Sequence, residues 1–93
     1  MAGRWYIVDF FGRLEDIWKE RKTLLCVGLD PRPAAGEGAG ELFRRSMAIV
    51  EATAPYTACY KPNSAFYEAF GAAGMDALMR LIKAIPDDIP VLL

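Results

Sequence analysis

The chain has 93 residues, room for one small domain and no more. Its hydrophobic fraction is 54% and 12% of its residues are aromatic, so some apolar surface is expected to lie against something outside these residues. The net charge is -1, from 11 Lys and Arg against 12 Asp and Glu; no basic stripe points to nucleic acid and nothing points to a membrane surface.

Cys26 and Cys59 both lie in apolar runs and read as buried small hydrophobes. Two cysteines with no histidine make neither a disulfide framework nor a zinc site, and imidazole catalysis is excluded from this segment. Trp5-Tyr6-Ile7-Val8 is too short for a signal peptide and is ended by Asp9, and no run is long enough to span a bilayer. The expected compartment is the cytoplasm.

Met1 to Val8 has no assignable role. Asp9 reads as an N-cap, followed by Phe10, Phe11, Leu14, Ile17 and Trp18 at helical spacing, with Arg13, Glu15, Asp16 and Lys19 on the other side. This amphipathic helix is expected to end near Lys22 and to cover the amino-terminal end of a barrel, its aromatic stripe in the core. Leu24 to Leu29 is the first strand; being apolar on both faces, it suits a parallel sheet covered on both sides. Gly28 offers close approach to backbone or ligand. Pro31 to Gly40 is a long, flexible loop with neither a GxGxxG nor a Walker lysine, so it is no nucleotide loop.

Glu41 to Thr53 is the second helix, with Leu42, Phe43, Met47, Val50 and Ala54 on one face. The pair Arg44-Arg45 on its polar side reads as a solvated face sooner than a phosphate clamp. Pro55 ends it, and Thr57 to Lys61 is the second strand. Asn63 or Ser64 caps a third helix, with Ala65, Phe66, Ala69 and Phe70 as its stripe and Glu68 on an exposed position. Gly71 and Gly74 break or bend the helix, and Met75, Leu78, Met79, Ile82 and Ile85 resume the stripe. Pro86-Asp87-Asp88 is a turn, and Ile89 to Leu93 begins a third strand.

The strand ends carry the chemistry. Each of the first two strands runs apolar up to one charged residue, Asp30 or Lys61, and is stopped at once by Pro31 or Pro62. The two charges are 31 residues apart, the length of one strand–helix–strand unit. An acid and a base at the carboxyl ends of neighbouring parallel strands lie where α/β folds bind ligands. The expected fold is α/β: an N-terminal amphipathic helix, then the first three βα units of a (β/α)8 TIM barrel. Residues 1–93 are expected to be the amino-terminal portion of one larger, truncated domain, since three parallel strands leave bare edges.

Leu25-Cys26-Val27-Gly28-Leu29-Asp30-Pro31, Tyr60-Lys61-Pro62-Asn63-Ser64-Ala65-Phe66-Tyr67-Glu68 and Ile89-Pro90-Val91-Leu92-Leu93, in this order and spacing, resemble the orotidine 5′-phosphate decarboxylases, in particular the bacterial branch typified by mycobacterial enzymes. The resemblance runs from Phe10 to Leu93; its second motif is fairly specific and its first weak alone. It implies a homodimeric TIM barrel that removes the C6 carboxylate of orotidine monophosphate to give uridine monophosphate, without metal or organic cofactor. Asp30 would then accept a hydrogen bond from a ribose hydroxyl. Lys61 would bind the ribose and belong to a charged Lys-Asp-Lys-Asp array. The rest of that array follows the third strand in an Asp-x-Lys-x-x-Asp motif, whose lysine protonates C6 and whose last aspartate comes from the partner subunit. The motif is absent here, so the 93 residues alone are expected to be inactive. Two alternatives stand beside this reading: a related phosphosugar barrel of the hexulose-phosphate synthase type, with a metal-binding carboxylate, and a non-catalytic interaction protein that buries its open edge against a partner.

Overall fold

The computed structural model describes residues 7–93. The expectations for the first six residues lie outside them. Helix α1 spans Ile7–Arg21, β1 Cys26–Leu29, α2 Gly40–Thr53, β2 Cys59–Pro62, α3 Ser64–Glu68 and α4 Gly71–Ala84, with a 3-10 turn at Ala54–Tyr56. β1 and β2 pair in parallel, Cys26 with Cys59, Val27 with Tyr60, Gly28 with Lys61 and Leu29 with Pro62. A third strand is begun at Val91, which bridges Tyr60 in parallel; Tyr60 N donates to Pro90 O at 3.0 Å and Leu92 N to Tyr60 O at 2.8 Å. The order is therefore the expected helix and β-α-β-α-β, with shorter strands.

Side chains alternate along a strand, so the register sorts the sheet into two faces. Leu29 and Tyr60 point towards the helices and are fully buried, together with Leu42 and Val50 of α2 and Leu81 and Ile82 of α4. Cys26, Gly28 and Lys61 point the other way and are exposed. The helices thus cover one face only. Cys26, expected to be buried, is exposed, because nothing among the described residues packs over its side of β1; Cys59 beside it is buried. Leu24 and Leu93 are exposed as well.

Local chemistry sets the element boundaries. Asp9 lies inside α1, not before it as an N-cap. Lys22 stops that helix in the left-handed region at φ 53, its N–H still bonded to Trp18 O. Of the expected aromatic stripe, Ile17 is buried and Leu14 packs on the core, while Phe11 and Trp18 are exposed. Arg21 fastens the end of α1 to the amino-terminal side of the sheet: its guanidinium donates to Ala54 O at 2.7 Å and to Asp88 Oδ2 at 2.8 Å.

Asn63 caps α3, its side-chain oxygen accepting from Ala65 N at 3.1 Å. Gly71, at φ +65, makes the break between α3 and α4. Gly74 does not break anything: it sits buried inside α4, where a Cβ would stand 1.8 Å from Tyr67 O. The absent side chain lets α4 lie directly on the backbone of α3.

Candidate functional site

Pro62 does not stop β2 at Lys61 as expected but is its last residue, opposite Leu29, since a proline fits an extended strand end. Asp30 is the residue after β1, and Lys61 is the third residue of β2, paired across the ladder with Gly28. The fold therefore brings the two together at one end of the sheet, the carboxyl end, on parallel strands. By strand alternation both belong to the face the helices leave open, and both are exposed. In a closed barrel that face is the interior.

Gly28 makes the floor between them. A Cβ there would meet Asp30 Oδ2 at 3.5 Å, an ordinary contact, so the chain's own packing does not demand glycine. The openness expected of Gly28 is real, but it serves only a group that approaches from the open face.

Electrostatics tie the same groups together. The Cys59 thiol is pushed up to about 12, first by burial and then by Cys26 beside it; the positive charge of Lys61 opposes that shift. Tyr67 is raised by burial and, more weakly, by the negative charge of Asp30, against the hydrogen bond from Ser46. Both cysteines are free thiols.

The loop after β1 is held rather than loose. Glu37 Oε1 accepts from Ala34 N at 2.6 Å and from Arg45 Nη2 at 2.9 Å, which folds the Pro-Gly segment back onto α2. Arg45 is thus half-buried and paired with Glu37 and Glu41. Arg44 is exposed and bonded to Glu41, whose carboxyl it holds below the usual range. That pairing fits the solvated-face reading of Arg44-Arg45. Arg32 stacks over the Phe66 ring at 5.1 Å, beside a shallow cavity of about 270 Å³ lined by Pro31, Pro33, Ala69 and Phe70. Glu68 is exposed, as expected.

Sequence reasoning missed Ser46 and Tyr67. Ser46 Oγ lies 2.9 Å from Tyr67 Oη, which donates to Leu29 O at 3.1 Å; all three residues are buried. The available signal was Ser46 itself, the one hydroxyl in the Leu42–Ser46–Val50 stripe, a position that must find a buried partner.

No protein-family model matches the chain. Individual proteins are similar to it along most of its length. A decarboxylase of Herpetosiphon aurantiacus is 45% identical over 82 residues, which are 77% of this chain and 29% of that protein. The chain's homologues are orotidine 5′-phosphate decarboxylases. A second, from Thermomicrobium roseum, is 44% identical over 94 residues, covering 92% of the chain and 32% of the relative. The OMP decarboxylase structure of Leishmania donovani superposes with a TM-score of 0.80 at 45% identity, over 88% of this chain and 31% of that one. The α/β architecture is thus that of part of the orotidine 5′-phosphate decarboxylase barrel, and the chain spans about 30% of the length of the relatives it matches. Among the described residues no helix is long and apolar enough to cross a membrane, and no cluster of three or more His, Cys, Asp or Glu is placed to hold a metal ion.

Proposed function

We propose that these residues are the amino-terminal part of a cytoplasmic, homodimeric orotidine 5′-monophosphate decarboxylase, in which Asp30 and Lys61 hold the ribose of the substrate. The observation that carries the reading is the pair itself: an acid and a base leaving the carboxyl ends of two adjacent parallel strands, on the open face of the sheet. The chemistry asks for such groups. Loss of carbon dioxide from C6 leaves a basic carbanion, which needs placed positive charge and a proton donor in line. Contacts to the sugar, remote from C6, fix that geometry. Asp30 accepts from a ribose hydroxyl; Lys61 donates to the ribose and adds positive charge to the array. The proton donor belongs to an Asp-x-Lys-x-x-Asp motif that this sequence does not contain.

The test is to express the complete reading frame and follow conversion of orotidine monophosphate by absorbance. Wild type turns over, with no sensitivity to a chelator, and Asp30→Asn or Lys61→Ala lowers kcat/KM by about 10- to 100-fold, the worth of a hydrogen bond to a charged group. The 93 residues alone show no turnover. Chelator-sensitive activity on a pentulose phosphate would instead identify the phosphosugar barrel, and an inactive complete protein would sink the decarboxylase reading.

A further inference from the structure

Three elements meet on the hydroxyl of Tyr67. It donates to the carbonyl of Leu29, the last residue of β1, at 3.1 Å. A phenol has one proton, so the 2.9 Å contact with Ser46 is donated by the serine of α2. Tyr67 itself stands on α3, which starts two residues after the end of β2. Its backbone is fixed in turn by Gly74, against whose Cα the Tyr67 carbonyl lies.

This hydroxyl has no solvent and no surface partner, for Tyr67 and Leu29 are fully buried. A phenylalanine would fill the same volume, so packing does not explain the oxygen. What it does is take up the Leu29 carbonyl at the point where the ladder to β2 ends, one peptide before Asp30. An untied carbonyl there would leave the Leu29–Asp30 peptide free to rotate, and Asp30 with it. The span also runs the other way: Tyr67 lies six residues after Lys61, on the helix that Lys61's own strand leads into.

We propose that Tyr67 is a positioning residue, whose hydroxyl sets the direction in which Asp30 leaves β1 and so holds the acid at a fixed spacing from Lys61 for the sugar of a nucleotide substrate. This rests on the ribose role of Asp30 given above. Ser46 supports it by filling the remaining lone pair of the phenol oxygen and so leaving the proton for Leu29.

The experiment is a mutant cycle in the complete enzyme, with amide exchange on the same complete protein as a second arm. Tyr67→Phe lowers kcat/KM by about tenfold in the wild-type background, and by less than about twofold once Asp30 is alanine, because the group it positions is gone. A full, additive loss in the Asp30→Ala background would overturn the proposal. In the exchange arm, Tyr67→Phe speeds exchange of the Leu29, Asp30 and Arg32 amides by about tenfold and leaves those of α4 unchanged; an equal rise everywhere marks a purely structural tyrosine and overturns it. Ser46→Ala, which keeps the Leu29 bond, gives a smaller effect with the same pattern, and covers the case in which Tyr67→Phe does not fold. A complete protein without decarboxylase activity disproves the proposed reaction, and the exchange arm then decides on Tyr67 by itself.

Discussion

Gly74 and Tyr67 are in backbone contact: a Cβ built on Gly74 would lie 1.8 Å from the Tyr67 carbonyl oxygen, 2.9 Å from its carbon and 2.8 Å from Phe70 Cβ. Two of those three atoms are main chain, which cannot swing aside as a side-chain tip can. Gly74→Ala therefore has to push α4 off α3. The expected cost is at or above the top of the ~1–3 kcal/mol seen for overpacked cores, read as a lower urea midpoint. A variant as stable as wild type would show that the two helices are not in this contact.

Cys59 makes stability depend on pH on the alkaline side. Burial and the neighbouring Cys26 raise its thiol from 9.0 to about 12 in the folded chain. The folded state then binds this proton more tightly than the unfolded state. The contribution is complete below pH 9 and is lost as the pH rises from 9 towards 12. Tyr67, also raised, adds a loss of the same sign above its ordinary value of 10.0. Urea melts between about pH 8 and about pH 11 should show a falling midpoint that is flatter in Cys59→Ala. Equal slopes in the two proteins would assign the loss elsewhere.

Asn63 is the only residue between β2 and α3, and its side chain is the helix's cap. Asn63→Ala removes the 3.1 Å bond to Ala65 N and is expected to cost about 1 kcal/mol. Asn63→Asp and Asn63→Ser, which keep a capping oxygen, should recover most of it in the same melt.

The open face predicts association. Leu24 is 76% exposed and Leu92 44%, on the same side of the sheet as the exposed Cys26. Apolar surface of this kind is covered in stable soluble proteins. In sedimentation, the 93-residue chain should form concentration-dependent oligomers, and Leu24→Lys should shift it towards the monomer. A monodisperse wild-type monomer would show that the face is tolerated bare.

The candidate pair was legible because both strands carry the same punctuation: an apolar run, one charge, then proline. That pattern needs no tertiary knowledge, since Pro31 and Pro62 limit their neighbours through local sterics. The helices were legible for a similar reason: α2 falls within two residues of its apolar stripe at either end, and α4 ends within a residue of its own but starts four residues ahead of it, at Gly71. Cys26 and the aromatic residues of α1 were misplaced because apolar character states a preference for burial, not the presence of a neighbour. Phe11, Trp18 and Cys26 have that preference unmet.

By itself the sequence determined the order of the elements, the parallel pairing implied by a 31-residue spacing, and the two charges at the strand ends. Only the tertiary structure decided which face of the sheet stays open, why Gly74 is glycine, and that Tyr67 reaches back 38 residues to Leu29. Periodicity and proline act over a few neighbouring residues, so they can be read along a chain. A close approach of two backbones, or a hydroxyl held between three elements, exists only once those elements have packed.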